Sequence, residues 1–239
     1  MVKNDIHEKD VAILLLAGSG TRIYQDIQIK KQFYPINHKE LYLYALETFL
    51  KSNLFQRIVL VIDGEDQERI AMNLKNKVDI PEDTEIALVY GGKDRNESVY
   101  HGLVSLKDIG KDCAVFIHDA ARPLLEEEEL FTLHKEIREH DALTLMLPMH
   151  DSILREKNGK LTYVDRKNMY RVLTPQVFIY SKILSIYENG YDKKDTDDFK
   201  KAVDANLDCK LVRGNVENFK VTEIDDLKLL EHLIIDKGC

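Results

Sequence analysis

Short apolar runs alternate with amphipathic segments between Val11 and Pro148. Apolar runs that end at glycine or charged residues predict buried strands of a parallel sheet. Segments with apolar residues three and four positions apart predict helices between those strands. The predicted strands are Val11–Leu16, Arg57–Asp63, Glu85–Tyr90, Cys113–Ile117 and Ala142–Leu147. The predicted helices are Leu41–Leu50, Gln67–Leu74, Glu97–Leu106 and Glu126–His140.

This alternation of strands and helices predicts an α/β fold with a doubly wound, mostly parallel, Rossmann-like sheet. Sheets of this kind bind their ligands beyond the carboxyl ends of the strands. Clusters of polar residues directly follow the first, third and fourth predicted strands. We therefore expect the functional site to lie where these three clusters meet.

The pattern changes after Pro148. Between Ser152 and Asp165 polar and apolar residues alternate around Asn158-Gly159, and Asn-Gly is a strong signal for a β-hairpin. We expect a β-arm at about residues 150–172 that mediates dimerisation, within a single domain over residues 1–239. The rest of the chain is predicted to form a strand at Val172–Tyr180, helices at Lys182–Tyr187 and Asp197–Asp204, a strand at Lys210–Val212 and a helix at about Asp225–Ile235.

The composition is that of a globular protein that needs no disulfide to fold. The chain has 239 residues, 44% of them hydrophobic, and a net charge of −8, which argues against a dedicated nucleic-acid-binding protein. The polar start at Met1–Asp10 does not resemble a signal peptide, and the apolar run that follows is too short to span a bilayer. Three cysteines at unrelated spacings predict neither a disulfide framework nor a zinc site. We expect a cytoplasmic protein without nucleic-acid or membrane partners.

The first polar cluster is Ala17–Arg22, followed by Lys30 and Lys31. Its two glycines allow the backbone to approach a phosphate and to present amide groups to it, while Arg22 and one lysine add positive charge. The cluster lacks the lysine of a Walker A loop and the third glycine of a dinucleotide-binding loop. An ordinary turn after a strand, with solvated basic residues, accounts for the cluster equally well.

The other two clusters are Gly91–Ser98 and His118–Pro123. The former, taken alone, is best explained as a turn in which Asn96 or Ser98 caps the next helix. In the latter, Asp119 ends a buried strand, which is a common position for a Mg²⁺ ligand, and Arg122 can hold an anion. An ion pair between Asp119 and Arg122 that stabilises a turn is an equally good explanation.

Taken together and in this order, the motifs resemble those of the 2-C-methyl-D-erythritol 4-phosphate cytidylyltransferases and their relatives, the ribitol 5-phosphate cytidylyltransferases. The resemblance extends from about Val11 to Leu233 and is carried by AGSGTR, KQF, GGKDRNESV, HDAARP, VDR, LTPQVF, TDD and NFKVT. It implies a nucleotidyltransferase-type fold and an enzyme that joins CTP to a polyol phosphate, releases pyrophosphate, uses Mg²⁺ or another divalent cation and works as a homodimer.

The resemblance also implies residue roles. Arg22 and Lys31 would contact the triphosphate, Lys220 the α-phosphate, and Asp119 the Mg²⁺ ion. Arg166 would reach from the β-arm into the site of the partner subunit. The residues implied for the nucleotide site are Ala17, Gly18, Gly20, Gly92, Arg95, Ser98 and Ala120. Those implied for the polyol phosphate are Arg122, Ser152, Arg166, Thr174 and Thr196.

Several alternatives stay open. HDAARP, VDR and LTPQVF favour methylerythritol phosphate as the substrate, whereas LAGSGTR and the DRN at Asp94–Asn96 are closer to the ribitol enzymes. Lys30 stands where the family has proline, so either Lys30 or Lys31 could contact the triphosphate. A non-catalytic nucleotide-binding protein is a further alternative. A dinucleotide-dependent oxidoreductase is disfavoured, because the glycine loop lacks its third glycine.

Overall fold

The computed structural model describes residues 9–18, 29–110, 112–190 and 195–236. The strands in this part of the chain are β1 (Asp10–Leu15), β2 (Pro35–Ile36), β3 (Lys39–Glu40), β4 (Phe55–Ile62), β5 (Glu85–Tyr90), β6 (Ala114–Asp119), β7 (Ala142–Pro148), β8 (Ile153–Lys157), β9 (Lys160–Val164), β10 (Tyr170–Ile179) and β11 (Cys209–Arg213). The α-helices are α1 (Leu41–Lys51), α2 (Gln67–Lys77), α3 (Arg95–Val104), α4 (Glu127–Glu136), α5 (Tyr180–Glu188), α6 (Asp198–Asp204) and α7 (Ile224–Asp236). Two short 3₁₀ helices lie at Lys31–Phe33 and Gly64–Asp66.

A seven-stranded sheet in the order β11-β7-β10-β6-β1-β4-β5 forms the centre of the protein. Strand β10 runs antiparallel between β6 and β7, and the remaining strand pairs are parallel. The parallel strands therefore end at one common edge, where β1, β5 and β6 deliver the three polar clusters. The mostly parallel α/β sheet predicted from the sequence is confirmed.

Both faces of the sheet are buried at its central strands. On β1, Leu14 packs in the core on one face together with Phe116 and Leu46, while Ile13 packs on the opposite face with Leu103. All five side chains are inaccessible to solvent. Successive residues of a strand point to opposite faces, so helices on both sides explain why β1 is a continuous apolar run. This packing gives the site a rigid base.

Most predicted elements agree with the structure to within a few residues, but two boundaries differ. The predicted strand Cys113–Ile117 extends to Asp119, so His118 and Asp119 belong to β6. The helix predicted at Glu126–His140 ends at Glu136, because the chain turns at Ile137 and leads into β7. The first difference matters for the site, because it places Asp119 on a strand held by hydrogen bonds on both sides.

The predicted hairpin is present as a separate two-stranded sheet of β8 and β9. Asn158 and Gly159 both have positive φ angles, 53° and 73°, as the tight turn between two adjacent strands requires. Leu154 pairs with Tyr163 across the hairpin, and these side chains are 50% and 80% exposed. Leu161, on the same face, is 60% exposed. The dimerisation role of this arm stays a prediction.

Across the described ranges, no helix combines the length and the apolar character needed to cross a membrane.

Candidate functional site

Two cavities lie side by side at the carboxyl edge of the sheet. The first, of about 180 Å³, is lined by Leu15, Leu16, Ala17, Gly18, Lys31, Gln32, Arg95, Asp119, Ala121 and Lys220. The second, of about 190 Å³, is lined by Arg95, Asp119, Arg122, Val172, Leu173, Thr174, Gln176, Thr196, Asp197 and Lys220. Arg95, Asp119 and Lys220 line both cavities, so they form the boundary between them.

Asp119 is the negative centre of this boundary. One carboxylate oxygen lies 2.7 Å from Lys220 Nζ, and the other lies 3.4 Å from Arg95 Nε. Burial by itself raises the pKa of the Asp119 carboxyl group, but the charges of Arg95, Lys220 and Arg122 outweigh burial and hold that pKa well below its usual range. Asp119 is therefore a carboxylate at neutral pH.

The backbone of Asp119 is supported by His118 and Thr174. His118 is fully buried, and burial lowers the pKa of its imidazole to about 4, so the ring is neutral. Its Nε2 lies 3.0 Å from the Arg122 carbonyl oxygen, an acceptor, so Nε2 carries the proton. Nδ1 then accepts from the Thr174 hydroxyl at 3.0 Å, and the same hydroxyl accepts from the Asp119 N–H at 3.2 Å. The Thr174 hydroxyl thus donates its proton to His118, although Thr174 lines the second cavity.

Arg122 brings a buried positive charge to the second cavity. Its side chain donates from Nη1 to the Asn218 carbonyl oxygen at 2.9 Å, and the Asn218 side chain donates to the Thr174 carbonyl oxygen at 2.9 Å. Burial lowers the pKa of Arg122, which is only 8% exposed, and Nε has no hydrogen-bond partner among the described residues. A buried guanidinium with a spare donor beside a cavity suits an anionic ligand.

The structure separates the two adjacent lysines that the sequence left as alternatives. Lys31 lines the first cavity, and its Nζ donates to the Val221 carbonyl oxygen at 3.0 Å. The ammonium group of Lys30 points elsewhere and lies within 2.9 Å of carboxylate oxygens of Asp63, Glu65 and Asp66. Of the two lysines, Lys31 is therefore the one that lines a cavity of the site. The three acidic residues, which are close enough together to hold a metal ion, surround the Lys30 ammonium instead.

Gln32 supports the start of the glycine-containing loop, a role that the sequence analysis missed. Its buried side-chain amide donates to the carbonyl oxygens of Leu16 and Gly18, at 2.9 and 3.2 Å. Only tertiary structure reveals this, because the side chain spans 16 residues of sequence. Ala17 and Gly18, which the resemblance assigns to the nucleotide site, line the first cavity. Gly20 and Arg22 lie outside the described residues.

The turn after β5 is shaped by close backbone contacts. A Cβ atom on Gly91 would lie 2.4 Å from the Ala17 Cβ, and one on Gly92 would lie 2.2 Å from Glu97 Cγ, so side chains there would clash. The Asp94 side chain caps α3 by accepting from the Glu97 N–H at 2.8 Å.

The prediction that Asn96 or Ser98 caps this helix is wrong. Both residues lie inside α3, and the cap position before the first turn is already occupied. Ser98 Oγ instead accepts from the Gly92 N–H at 3.0 Å and donates to the Asp94 carbonyl oxygen at 2.9 Å. Gly92 and Ser98 thus shape the loop beside Ala17 without lining either cavity.

The remaining predicted residues divide into two groups. Thr196 lines the second cavity, whereas Ala120 is buried and its neighbour Ala121 lines the first. Ser152 and Arg166 are exposed and line neither cavity of their own chain. The Arg166 side chain donates to the His150 carbonyl oxygen at the base of the arm. The structure therefore places most predicted residues of the sheet edge and its adjoining segments around the two cavities and leaves Ser152 and Arg166 of the arm outside them.

Sequence comparison assigns most of the chain to one family. Residues 11–236 match the family model described as IspD: 2-C-methyl-D-erythritol 4-phosphate cytidylyltransferase. A protein of that name from Thermotoga neapolitana is 33% identical over 220 residues, which cover 92% of this chain and 94% of the relative. The protein of the same name from Clostridioides difficile is 30% identical over 226 residues, covering 93% and 92% of the two chains.

Solved structures share the fold. The crystal structure of 4-diphosphocytidyl-2C-methyl-D-erythritol synthase from Anaerococcus prevotii superposes with a TM-score of 0.82 at 24% identity, covering 96% of this chain and 99% of that one. The cytidylyltransferase from Thermus thermophilus gives a TM-score of 0.72 at 20% identity, covering 95% and 99%. At these identities the structural comparison establishes the fold alone.

Proposed function

The chain belongs to the 2-C-methyl-D-erythritol 4-phosphate cytidylyltransferase family, and we propose that it transfers the CMP group of CTP to methylerythritol phosphate and releases pyrophosphate. The observation that carries this proposal is the boundary formed by Arg95, Asp119 and Lys220 between two cavities. A nucleotide in the first cavity and a phosphate ester in the second would meet at this boundary. Ala17, Gly18 and Lys31 supply the nucleotide side, and Arg122, Thr174 and Thr196 the polyol side.

The chemistry needs no nucleophile from the protein. An oxygen of the substrate's phosphate monoester attacks the α-phosphorus of CTP, the bond from that phosphorus to the β-phosphate oxygen breaks, and pyrophosphate leaves with its electron pair. Two anions must be held in line although they repel each other, and the charge that develops on the α-phosphate must be stabilised. The positive residues at the two cavities meet both needs.

Individual cations suit different parts of this reaction. Lys31 lies on the nucleotide side, and Arg122, whose buried Nε has no hydrogen-bond partner among the described residues, lines the cavity on the polyol side. Lys220 is 39% exposed and is bound to Asp119 by one ion pair, so its ammonium group can turn from Asp119 to the α-phosphate. Each phosphate therefore has a cation within reach from its own side of the boundary.

The boundary between the cavities also suits a divalent cation. Of the described residues that line the first cavity, Asp119 alone carries a carboxylate. Mg²⁺ is commonly held by one or two protein carboxylates, with substrate phosphates and water as its other ligands. We propose that Asp119 holds Mg²⁺ together with the triphosphate of CTP. The ion would supply charge neutralisation on the phosphates, and Lys220 would be released from Asp119 when the ion binds.

The first prediction concerns substrate choice. With CTP and Mg²⁺, purified protein should release pyrophosphate rapidly with methylerythritol 4-phosphate and much more slowly with ribitol 5-phosphate. ATP, GTP and UTP should be poor replacements for CTP. Comparison of kcat/KM for each pair of substrates in a pyrophosphate-release assay checks this. Faster turnover with ribitol 5-phosphate would assign the chain to the alternative reaction, and no turnover with any polyol phosphate would support a non-catalytic nucleotide-binding role.

We further propose that residues 1–239 act as one nucleotidyltransferase domain and that the arm at about residues 150–172 joins two copies. An isolated two-stranded ribbon is marginally stable in water, and the exposed Leu154, Leu161 and Tyr163 on one face of the arm favour its packing against another surface. Arg166, which lines neither of the two cavities of its own chain, would then serve the site of the partner subunit. A cytoplasmic location remains a prediction from the sequence.

The second prediction tests this shared site by mixing two inactive variants, Arg166→Ala and Asp119→Asn. A mixed dimer contains one site in which both residues are intact, so activity should return to about a quarter of wild type after random exchange of subunits. Each variant alone, treated identically, is the control. Sedimentation should show dimers. If subunits exchange without recovery of activity, or if the active species is a monomer, Arg166 does not act across an interface.

A further inference from the structure

Arg95 lies closer to a carboxylate outside the cavities than to Asp119. Its Nη1 lies 2.8 Å from the Asp198 Oδ2, an ion pair without hydrogen-bond alignment, whereas its Nε lies 3.4 Å from the Asp119 Oδ1. Asp198 is fully buried and is not among the described residues that line the two cavities. Burial alone disfavours the charged form of Arg95, but Asp198 and then Asp119 outweigh it and raise the pKa of the guanidinium. Asp198 is therefore the main anchor of this cation.

The Asp198 carboxylate is itself fixed from several directions. The Tyr187 hydroxyl donates to its Oδ1, and the Lys201 ammonium group lies 3.9 Å from the same oxygen. The backbone N–H of Asp198 donates to the Gln176 Oε1 at 2.9 Å, which ties the start of α6 to β10. Lys201 is 3% exposed and donates to the Asn96 Oδ1 at 2.8 Å, so it also ties α6 to α3, the helix that begins with Arg95.

Arg95 and Lys220 therefore differ in how freely their charged groups can move. Lys220 is partly exposed and its only carboxylate partner in the described part of the chain is Asp119. Arg95 is held from behind by a carboxylate that cannot move without disturbing α6, and it faces both cavities. A cation fixed before the substrates arrive stabilises phosphate charge without reorganisation, while a cation released from Asp119 can follow the reacting phosphate.

We propose that Asp198 is a positioning residue, which holds Arg95 at the boundary between the two cavities as a fixed cation for the phosphates of both substrates. This inference rests on the proposed function. Asp198 acts through Arg95 and touches neither substrate. Without Asp198, the guanidinium would be free to move fully onto Asp119, away from the phosphates and in competition with Lys220.

A double-mutant cycle with Asp198→Asn and Arg95→Gln tests the proposal. Asp198→Asn keeps the shape of the side chain and should lower kcat/KM about 10- to 100-fold, the range expected when a group is displaced by about 1 Å. In the Arg95→Gln background the same substitution should cost less than about twofold, because the group that it positions is absent. Asp204→Asn, at the exposed end of the same helix, is the matched control and should leave activity unchanged.

The dissociation constant of CTP, measured by calorimetry on the same four proteins, gives a second readout that does not depend on the polyol. Asp198→Asn should raise this dissociation constant in the wild-type background and change it little in the Arg95→Gln background. Wild-type protein that binds CTP but does not react with the expected polyol would contradict the proposed function, while the binding cycle would still decide the role of Asp198. An equal penalty for Asp198→Asn with and without Arg95 would show a purely structural role and overturn the proposal.

A milder variant covers the case in which Asp198→Asn does not fold. Tyr187→Phe removes one hydrogen bond to the same carboxylate and leaves every charge in place. It should lower kcat/KM several-fold in the wild-type background and have no effect in the Arg95→Gln background. A folded Tyr187→Phe protein with wild-type kinetics, or one with the same loss in both backgrounds, would count against the positioning role.

Discussion

Lys220→Ala is expected to lower kcat about 10²- to 10³-fold while the affinity for CTP changes little. The ammonium group lies 2.7 Å from Asp119 and must leave that carboxylate before it can contact the nucleotide, so it contributes little to initial binding of the nucleotide. Its effect arises when it moves to the α-phosphate, where charge develops in the transition state, and loss of one such group typically costs that factor. Because Lys220 is partly exposed, its removal leaves no large cavity and the fold should survive.

The measurement compares kcat from pyrophosphate release with the CTP dissociation constant from calorimetry. Lys228→Ala is the matched control, because Lys228 is an exposed lysine on α7 that pairs only with Asp225 among the described residues. Its kinetics should equal those of the wild type. An unchanged kcat in Lys220→Ala, or a loss confined to CTP affinity, would assign Lys220 a ground-state or purely structural role.

The sheet and the edge that bears the site could be predicted from local pattern. A buried parallel strand is a continuous apolar run, so Val11–Leu16 and Arg57–Asp63 were identifiable from hydrophobicity alone. The same pattern gave the position of Asp119, because a carboxylate just after such a run must lie at the carboxyl edge. Local pattern carries no information on the direction of a strand, and the antiparallel placement of β10 between β6 and β7 is evident only in the structure.

The arrangement of side chains in the site could not be predicted, because it depends on contacts between residues that are far apart in the sequence. Lys30 and Lys31 are adjacent and chemically alike, so only their partners separate them: Lys30 meets the acidic turn at Gly64–Asp66, and Lys31 meets Val221, 190 residues away. His118 and Asn218 were missed as supports for the same reason. Lys220 was identified from the resemblance. The residues around Lys220 form no pattern that by itself indicates a chemical role.

The last expected result is that Asp119→Asn abolishes Mg²⁺-dependent turnover, with a loss of at least about 10³-fold in kcat/KM, while the protein stays folded. The substitution removes a proposed metal ligand, and metal ions supply several kcal/mol of charge stabilisation in transfers of this kind. It also leaves Arg95, Lys220 and Arg122 without the carboxylate that they share. The backbone hydrogen bond from residue 119 to Thr174 does not involve the side chain and should persist.

Two effects must be separated in this variant, loss of the metal ligand and loss of a buried charge. Binding of Mn²⁺ in the presence of CTP, followed by electron paramagnetic resonance, should weaken in Asp119→Asn. Asp10→Asn is the matched control, because Asp10 is a buried carboxylate at the opposite end of β1, paired with His134. It should change thermal stability but leave Mn²⁺ binding intact. If folded Asp119→Asn protein binds Mn²⁺ normally and turns over at low millimolar Mg²⁺, Asp119 serves only to hold the surrounding cations in place.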